Sequence, residues 1–593
     1  MTRRSRCLLL LSVVLAVAPL AWASAAGKRE AVAIRVRTAN GALSGTATAD
    51  GARAFLGIPY AAPPVGARRW QAPGPAPSWT GLRDATRPGA PCAQPGLDRA
   101  GALRVIGSED CLTLNVYAPR GAGRDLPVMV FIHGGGQMYG SGAQYDGARL
   151  AARQQVVVVT INYRLGLLGW FHHPAITGTG QDRRTGQFAL LDAMAALRWV
   201  RQNIAAFGGA PGNVTVFGES AGAQNVYGLV FAPATRGLFD KAIAESGGLW
   251  NMALSQAVNY RDEADPGTPL SAREVVAQLL VDTGRAADRD AAKALAAREG
   301  DADLARWLRA LPVAALLGVE ARAPHADYDL PSVVYDDVLI PAGSHHDRLA
   351  RGDYHRVPLL IGGNRDEQKL YLAADPALRA VIDGNTVVRD RERYEAINRY
   401  YSQWWNFSAV DNLAGRLADP VYAYRFEWDD EPERPVDIRA LYGAAHGLEL
   451  AFVFGRFDYG FVHDDLPGEE NATPGTDPYR ALFNEANRQS RERVSEAMMS
   501  YWATFARRGA PGNGGIPGLP TWPAWSAGGV RLVFGNQGVS IAAGVIDGAA
   551  LLDEIRASTL LTTAEKCAIL LDHTMYPSYA AYADERRGCP AAP

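Results

Sequence analysis

Beyond its first two dozen residues the chain has no apolar run long enough to cross a bilayer, so stable insertion through spanning helices is not expected. Neither sign of charge is in excess: 60 Lys and Arg stand against 62 Asp and Glu, and no basic run follows the first six residues. A nucleic-acid or anionic-membrane partner therefore has no electrostatic footprint. No internal repeat or long low-complexity tract occurs, which sets aside a repeat architecture. No HExxH or similar ligand spacing is found, so neither a metal nor another cofactor is expected. Cysteine is scarce, with five in 593 residues.

What is present is an ordinary globular composition, 48% hydrophobic and 21% charged, with ample material for one large core. The N-terminus has a cationic MTRRSR, an apolar stretch interrupted by Pro19, and an A-x-A site at Ala23-Ser24-Ala25. These are the parts of a cleaved export signal over residues 1–25, which places the mature chain, residues 26–593, in a secreted or periplasmic setting. Cys7 falls before the apolar stretch, the wrong place for lipid attachment. Cys92, Cys111, Cys567 and Cys589 remain, enough for two disulfides in three possible connectivities. Pairing sequence neighbours closes two short loops, each worth about 3 kcal/mol in a chain-entropy account.

The first half alternates strand-like and helix-like segments, the pattern of an α/β fold on a largely parallel sheet. Strands are expected at Val128–Ile132, Val156–Ile161 and Val214–Phe217, and a helix over Phe188–Ala206. The third strand runs into Gly218-Glu219-Ser220-Ala221-Gly222, a G-x-S-x-G motif, and two or three helical turns follow. A serine on such a junction is lifted clear of the sheet at a helix N-terminus, where backbone N–H groups stabilise developing negative charge. Ser220 is therefore the candidate nucleophile. The loop His133-Gly134-Gly135-Gly136 also follows a strand, and the N–H groups of Gly135, Gly136 and Ala221 can form an oxyanion hole.

A serine nucleophile needs a base and an acid that orients it. His133 is committed to the glycine loop, and the pairs His172-His173 and His345-His346 read as loop or surface residues. His446, in Ala445-His446-Gly447, lies C-terminal to both other candidates, in the order Ser, acid, His of this chemistry. The strand Val357–Ile361 opens into Asn364-Arg365-Asp366-Glu367, so two carboxylates follow its C-terminal end, where an open sheet builds its site.

The chain resembles the type-B carboxylesterases, a family of the α/β-hydrolase fold that includes the cholinesterases. The likeness is carried by Phe207-Gly208-Gly209 through Gly222 and by Glu109-Asp110-Cys111-Leu112-Thr113-Leu114-Asn115-Val116-Tyr117-Ala118-Pro119. AFLGIPYAAPPVGARRW from residue 54, NYRLG at 162–166 and SYWATFARRGAP at 500–511 add to it, over about residues 33–540. The resemblance implies a large, mostly parallel sheet flanked by helices with cap-like insertions, and one catalytic domain with a disulfide-closed tail. It implies a carboxylic-ester hydrolase with Glu367 as acid and His446 as base, a Cys92–Cys111 disulfide, and Glu219 and Ser246 behind the triad, Ser246 bonded to the acid. The partner is then a small-molecule ester of small to medium size.

Some residues depart from the family pattern. Its D-E-G element is here Asp366-Glu367-Gln368, and an often aromatic position after the glycines is Gln137, expected to border the acyl pocket. The Cys92–Cys111 loop has no aromatic residue, so the cation–π site of a cholinesterase is missing. Gln137 and the cluster Trp404-Trp405-Asn406-Phe407 hint at a bulky natural-product, aromatic or polyester substrate instead, although such a cluster is more often core or rim packing. A non-catalytic binding protein on the same scaffold would be expected to lack a triad residue, and none is lacking. The sequons at Asn213, Asn406 and Asn471 are not expected to carry glycans, and the acidic stretch 463–471 reads as a solvated loop.

Overall fold

The computed structural model describes residues 34–571 except 99–100, 122, 183, 250–251, 324–328, 344, 383–384, 432–437 and 458–481. The expected export signal, Cys589, Asn471 and the acidic stretch 463–471 lie outside the described residues. One 13-stranded sheet organises the rest. Its strands are β1 Ile34–Thr38, β2 Gly41–Ala47, β3 Ala52–Pro59, β4 Leu82–Asp84, β5 Thr113–Pro119, β6 Leu126–Ile132 and β7 Val157–Ile161. They continue with β8 Gly209–Glu219, β9 Lys241–Glu245, β10 Leu359–Asn364, β11 Val421–Phe426, β12 Arg531–Gly535 and β13 Gly538–Ala542. The spatial order is β1-β2-β3-β5-β7-β6-β8-β9-β10-β11-β12-β13, with β4 beside β2.

Strands β7-β6-β8-β9-β10-β11-β12 run parallel, and antiparallel pairs complete both sides. The central strands read as unbroken apolar runs because both faces are covered. In β6, Val128, Val130 and Ile132 enter one core while Met129 and Phe131 enter the other. Helices α1 Phe188–Asn203 and α2 Ala221–Phe231 cover the first face through residues such as Leu190, Leu197, Val226 and Val230. The opposite face is covered by α5 Arg488–Arg508, with Met498, Trp502 and Phe505. Between them in sequence come α3 Arg391–Asn406 and the short α4 Glu449–Phe454.

The expected helix through Ala206 is regular to Asn203 and finishes as a tighter turn over Ile204–Phe207. Helices fill the insertion between β9 and β10, and one of them, Val313–Glu320, reaches the NYRLG loop, where Glu320 accepts the N–H of Leu167 at 2.6 Å. Three members of the two histidine pairs are not surface residues. His172, His173 and His345 are buried, because His173 Nδ1 caps the turn Pro174–Thr177 and its ring stacks on Phe171, while His345 opens a packed helix. No helix among the described residues is long and apolar enough to cross a membrane.

Candidate active site

The parallel strands release their chains at one edge, so the ends of β6, β8, β9 and β10 bring distant residues together. Between β8 and α2, Ser220 has φ 55° and ψ −124°, a conformation a non-glycine residue holds only when its surroundings impose it. They do so by close contact. A Cβ on Gly222 would stand 2.0 Å from the Ile132 carbonyl oxygen, so only glycine lets the helix press against β6. The Ser220 N–H donates to the Glu245 carbonyl at 2.9 Å, tying the turn to β9. The serine remains partly exposed at the N-terminus of α2.

The glycine loop after β6 faces this turn. Gly135 and Gly136 have φ of 96° and 59°, and the N–H groups of Met138 and Tyr139 fold back onto the Gly135 carbonyl at 3.0 and 2.9 Å. Among the described residues, no protein acceptor takes the N–H of Gly135, Gly136 or Ala221. His133 anchors the loop from below: its ring stacks on Tyr163 at 4.5 Å, and the Tyr163 hydroxyl donates to the His133 carbonyl at 2.7 Å. Burial pushes its imidazole down to about 4, so it is neutral at ordinary pH.

His446 Nδ1 lies 2.6 Å from Glu367 Oε2, with both side chains buried. The other oxygen of Glu367 accepts the Asn364 N–H at 2.6 Å. Nε2 of the imidazole makes no hydrogen bond among the described residues and stands 3.2 Å from Glu219 Oε1. Rings of Trp405 and Tyr371 pack beside the imidazole at 5.0 and 5.9 Å. The rival carboxylate Asp366 has another task. It accepts from Ala444 N–H at 3.0 Å and Asn398 Nδ2 at 2.8 Å and pairs with Arg365, so it holds the histidine loop to β10. Gln368, in place of a glycine, has φ −78° and needs no special freedom.

Four buried carboxylates, of Glu219, Glu245, Glu367 and Glu449, crowd this region. Burial raises Glu219, Glu245 and Glu449 above the ordinary carboxylate range, and their mutual repulsion adds to it. Burial works against a charged imidazole at His446, but Glu219, Glu367 and Glu449 outweigh it and hold the group above its usual value.

Sequence and structure part at Ser246 and at Gln137. Ser246 Oγ donates not to Glu367 but to Glu449 Oε1 at 2.8 Å, while Oε1 of Glu367 accepts the Asn364 N–H. Gln137 is turned inward and buried, its amide bonded to α2 rather than presented to a pocket. In the Trp404–Phe407 cluster the packing alternative holds for Trp404, Trp405 and Asn406, which are buried: Trp405 Nε1 donates to the Ser246 carbonyl at 3.2 Å and Asn406 Nδ2 to the Asn364 carbonyl at 2.8 Å. Asn364 and Glu449 were missed as partners, although Asn364 opens the acid's turn and Glu449 closes the His446-Gly447-x-Glu element. Cys92 and Cys111 form a disulfide, and Cys567 is disulfide-bonded as well.

Comparison with known proteins adds to this geometry. Residues 32–404 match the model of the carboxylesterase family. A cocaine esterase of Oryctolagus cuniculus is 35% identical over 79% of this chain and 85% of its own length. A para-nitrobenzyl esterase of Bacillus subtilis is 33% identical over 80% and 90%. Among solved structures, a PNB esterase superposes with TM-score 0.62 at 30% identity, over 86% of this chain and 97% of the other. A carboxylesterase of Geobacillus stearothermophilus gives TM-score 0.63 at 28% identity over the same shares.

Proposed function

The chain belongs to the carboxylesterase family and is a serine carboxylic-ester hydrolase of the α/β-hydrolase fold, and from that premise we propose that Ser220, His446 and Glu367 are its catalytic triad. The observation that carries this reading is the 2.6 Å contact of His446 Nδ1 with Glu367 Oε2, at the sheet edge where Ser220 stands on its strained turn.

In the reaction, Ser220 Oγ attacks the ester carbonyl carbon as His446 Nε2 takes its proton. Glu367 fixes the tautomer with Nδ1 protonated and stabilises the imidazolium. The carbonyl oxygen becomes an oxyanion held by the N–H groups of Gly135, Gly136 and Ala221. The C–O bond to the alcohol breaks, His446 protonates the leaving oxygen, and the acyl group stays on Ser220. Water repeats the steps to release the acid and free Ser220. Apart from the ester and this water, the steps draw on groups of the chain itself.

The substrate is a small to medium carboxylic ester, with no nucleic-acid partner and no stable insertion into a membrane. Residues 26–593 form one catalytic unit, exported by the leader at 1–25 to an oxidising compartment that suits the Cys92–Cys111 disulfide. Fluorophosphonate labelling followed by peptide mass spectrometry, with Ser220→Ala kinetics on nitrophenyl esters, tests the site. Labelling at Ser220 and a loss of about 10⁴-fold or more in kcat are expected. Labelling at another serine, or near-normal hydrolysis by Ser220→Ala, sinks the assignment.

A further inference from the structure

The oxyanion donors on Gly135 and Gly136 belong to residues that have no side chain to hold them. The loop takes positive φ at Gly135, Gly136 and Gln137 in succession, 96°, 59° and 64°. Such backbone is soft unless something outside fixes it. Gln137 is the first residue after the glycines with a side chain, and its whole amide is bonded. Nε2 donates to the Ala221 carbonyl and to Asn225 Oδ1, both at 3.0 Å, and Oε1 accepts from Asn225 Nδ2 at 3.1 Å. Both side chains are 1% exposed. The backbone of Gln137 is tied on its other side, where its carbonyl accepts the N–H of Gly166 at 2.8 Å. Leu167, the next residue, is held in turn by Glu320.

Ala221 is the residue whose N–H supplies the third oxyanion donor, and Asn225 lies one helical turn beyond it. The amide pair therefore connects the two halves of the oxyanion hole directly. We infer that Gln137 and Asn225 are positioning residues that lock the Gly135–Gly136 donors in register with Ala221 N–H, and do not select the acyl group. The inference rests on the oxyanion-hole reading above. The alternative is a pair that only stabilises the fold, or a glutamine that lines the acyl pocket.

The test uses Gln137→Met, Asn225→Leu and the double variant. The double variant leaves neither of the paired side-chain amides buried without its partner, so it stays folded if a single one does not. Ser220 labelling by a fluorophosphonate counts competent sites in each preparation, and a Tm follows folding. Gln137→Met is expected to lose about 10- to 100-fold in kcat with KM within about threefold of wild type. Asn225→Leu keeps the Ala221 bond and loses less, and the double variant matches Gln137→Met, since one device is removed once. Affinity for an aryl trifluoromethyl ketone, whose hemiketal oxygen occupies the oxyanion hole, falls by the same factor as kcat, which a purely structural role would not produce.

Folded variants with kcat within threefold of wild type would overturn the inference. So would a rise in KM alone, which marks a pocket residue, or a double variant whose loss is the product of the singles. If wild-type labelling misses Ser220, the underlying site reading fails instead, and the two failures are distinct.

Discussion

Glu367 holds His446 from one side only: Oε2 meets Nδ1 at 2.6 Å, while Oε1 is spent on the Asn364 N–H, also at 2.6 Å. The carboxylate is thus fixed by its own turn before it fixes the imidazole. An amide there can present an NH₂ to Nδ1 and favour the wrong tautomer. Glu367→Gln is expected to lower kcat by about 10³- to 10⁴-fold with a normal Tm. Asp366→Asn is expected to do the reverse, lowering Tm while leaving more of kcat, because Asp366 bonds the histidine loop and not the imidazole. Steady-state hydrolysis of a nitrophenyl ester and thermal unfolding separate them, and a Glu367→Gln enzyme within tenfold of wild type would refute the role.

Glu219 gives a pH prediction. Burial disfavours the imidazolium of His446, but the nearby carboxylates raise it overall, and Glu219 Oε1 is the closest to Nε2 at 3.2 Å. The base must be neutral to accept the serine proton, so the acid limb of kcat/KM lies above the value near 6.5 of a free imidazole. Glu219→Gln removes a charge that favours the imidazolium, so the limb moves to lower pH. A limb that stays in place or moves up counts against this account.

Much of this site was legible because its signals are local. β-branched runs ending in Gly218–Gly222 and His133–Gly136 specify strand, turn and helix within a few residues of Ser220 and the glycine loop. What was not legible depends on meetings between distant segments. Ser246 was given Glu367 as its acceptor, but Glu449, some 200 residues away, takes its hydroxyl. Gln137 was read as a pocket residue from its place after the glycines, whereas its rotation inward depends on Asn225, 88 residues further along. His172 and His345, each beside a second histidine, read as loop or surface residues, and only packing in the fold buries them.

The Cys92–Cys111 disulfide closes a loop that holds a two-stranded ribbon, Gln94–Leu97 against Leu103–Ile106, and ends beside β5. In the chain-entropy account a 19-residue closure contributes about 3 kcal/mol. The Cys92→Ser/Cys111→Ser double variant is expected to unfold at a lower Tm, by several degrees, with kcat on a small ester largely retained. Among the described residues, no hydrogen bond links the triad or the oxyanion loop to either sulfur. A variant with unchanged Tm would show that the native loop is already held by other contacts.

Gly222 tests whether the strained turn at Ser220 depends on contact with β6. A methyl group at that position would lie 2.0 Å from the Ile132 carbonyl oxygen and 2.8 Å from the Ile132 carbonyl carbon, both main-chain atoms that no rotamer change can move. Either α2 withdraws from β6 or β6 shifts, and in both cases Ala221 N–H leaves its place opposite the Gly135–Gly136 loop. Gly222→Ala is therefore expected to cost more than about 3 kcal/mol of stability, well above the usual effect of adding one methyl group. Any folded fraction should lose kcat by more than about 10²-fold, since an oxyanion donor is misplaced. At Gly212, where a Cβ meets nothing within 4 Å, the same substitution should be near neutral in Tm and kcat. Equal effects at the two glycines would mean that close approach to β6 does not hold the turn.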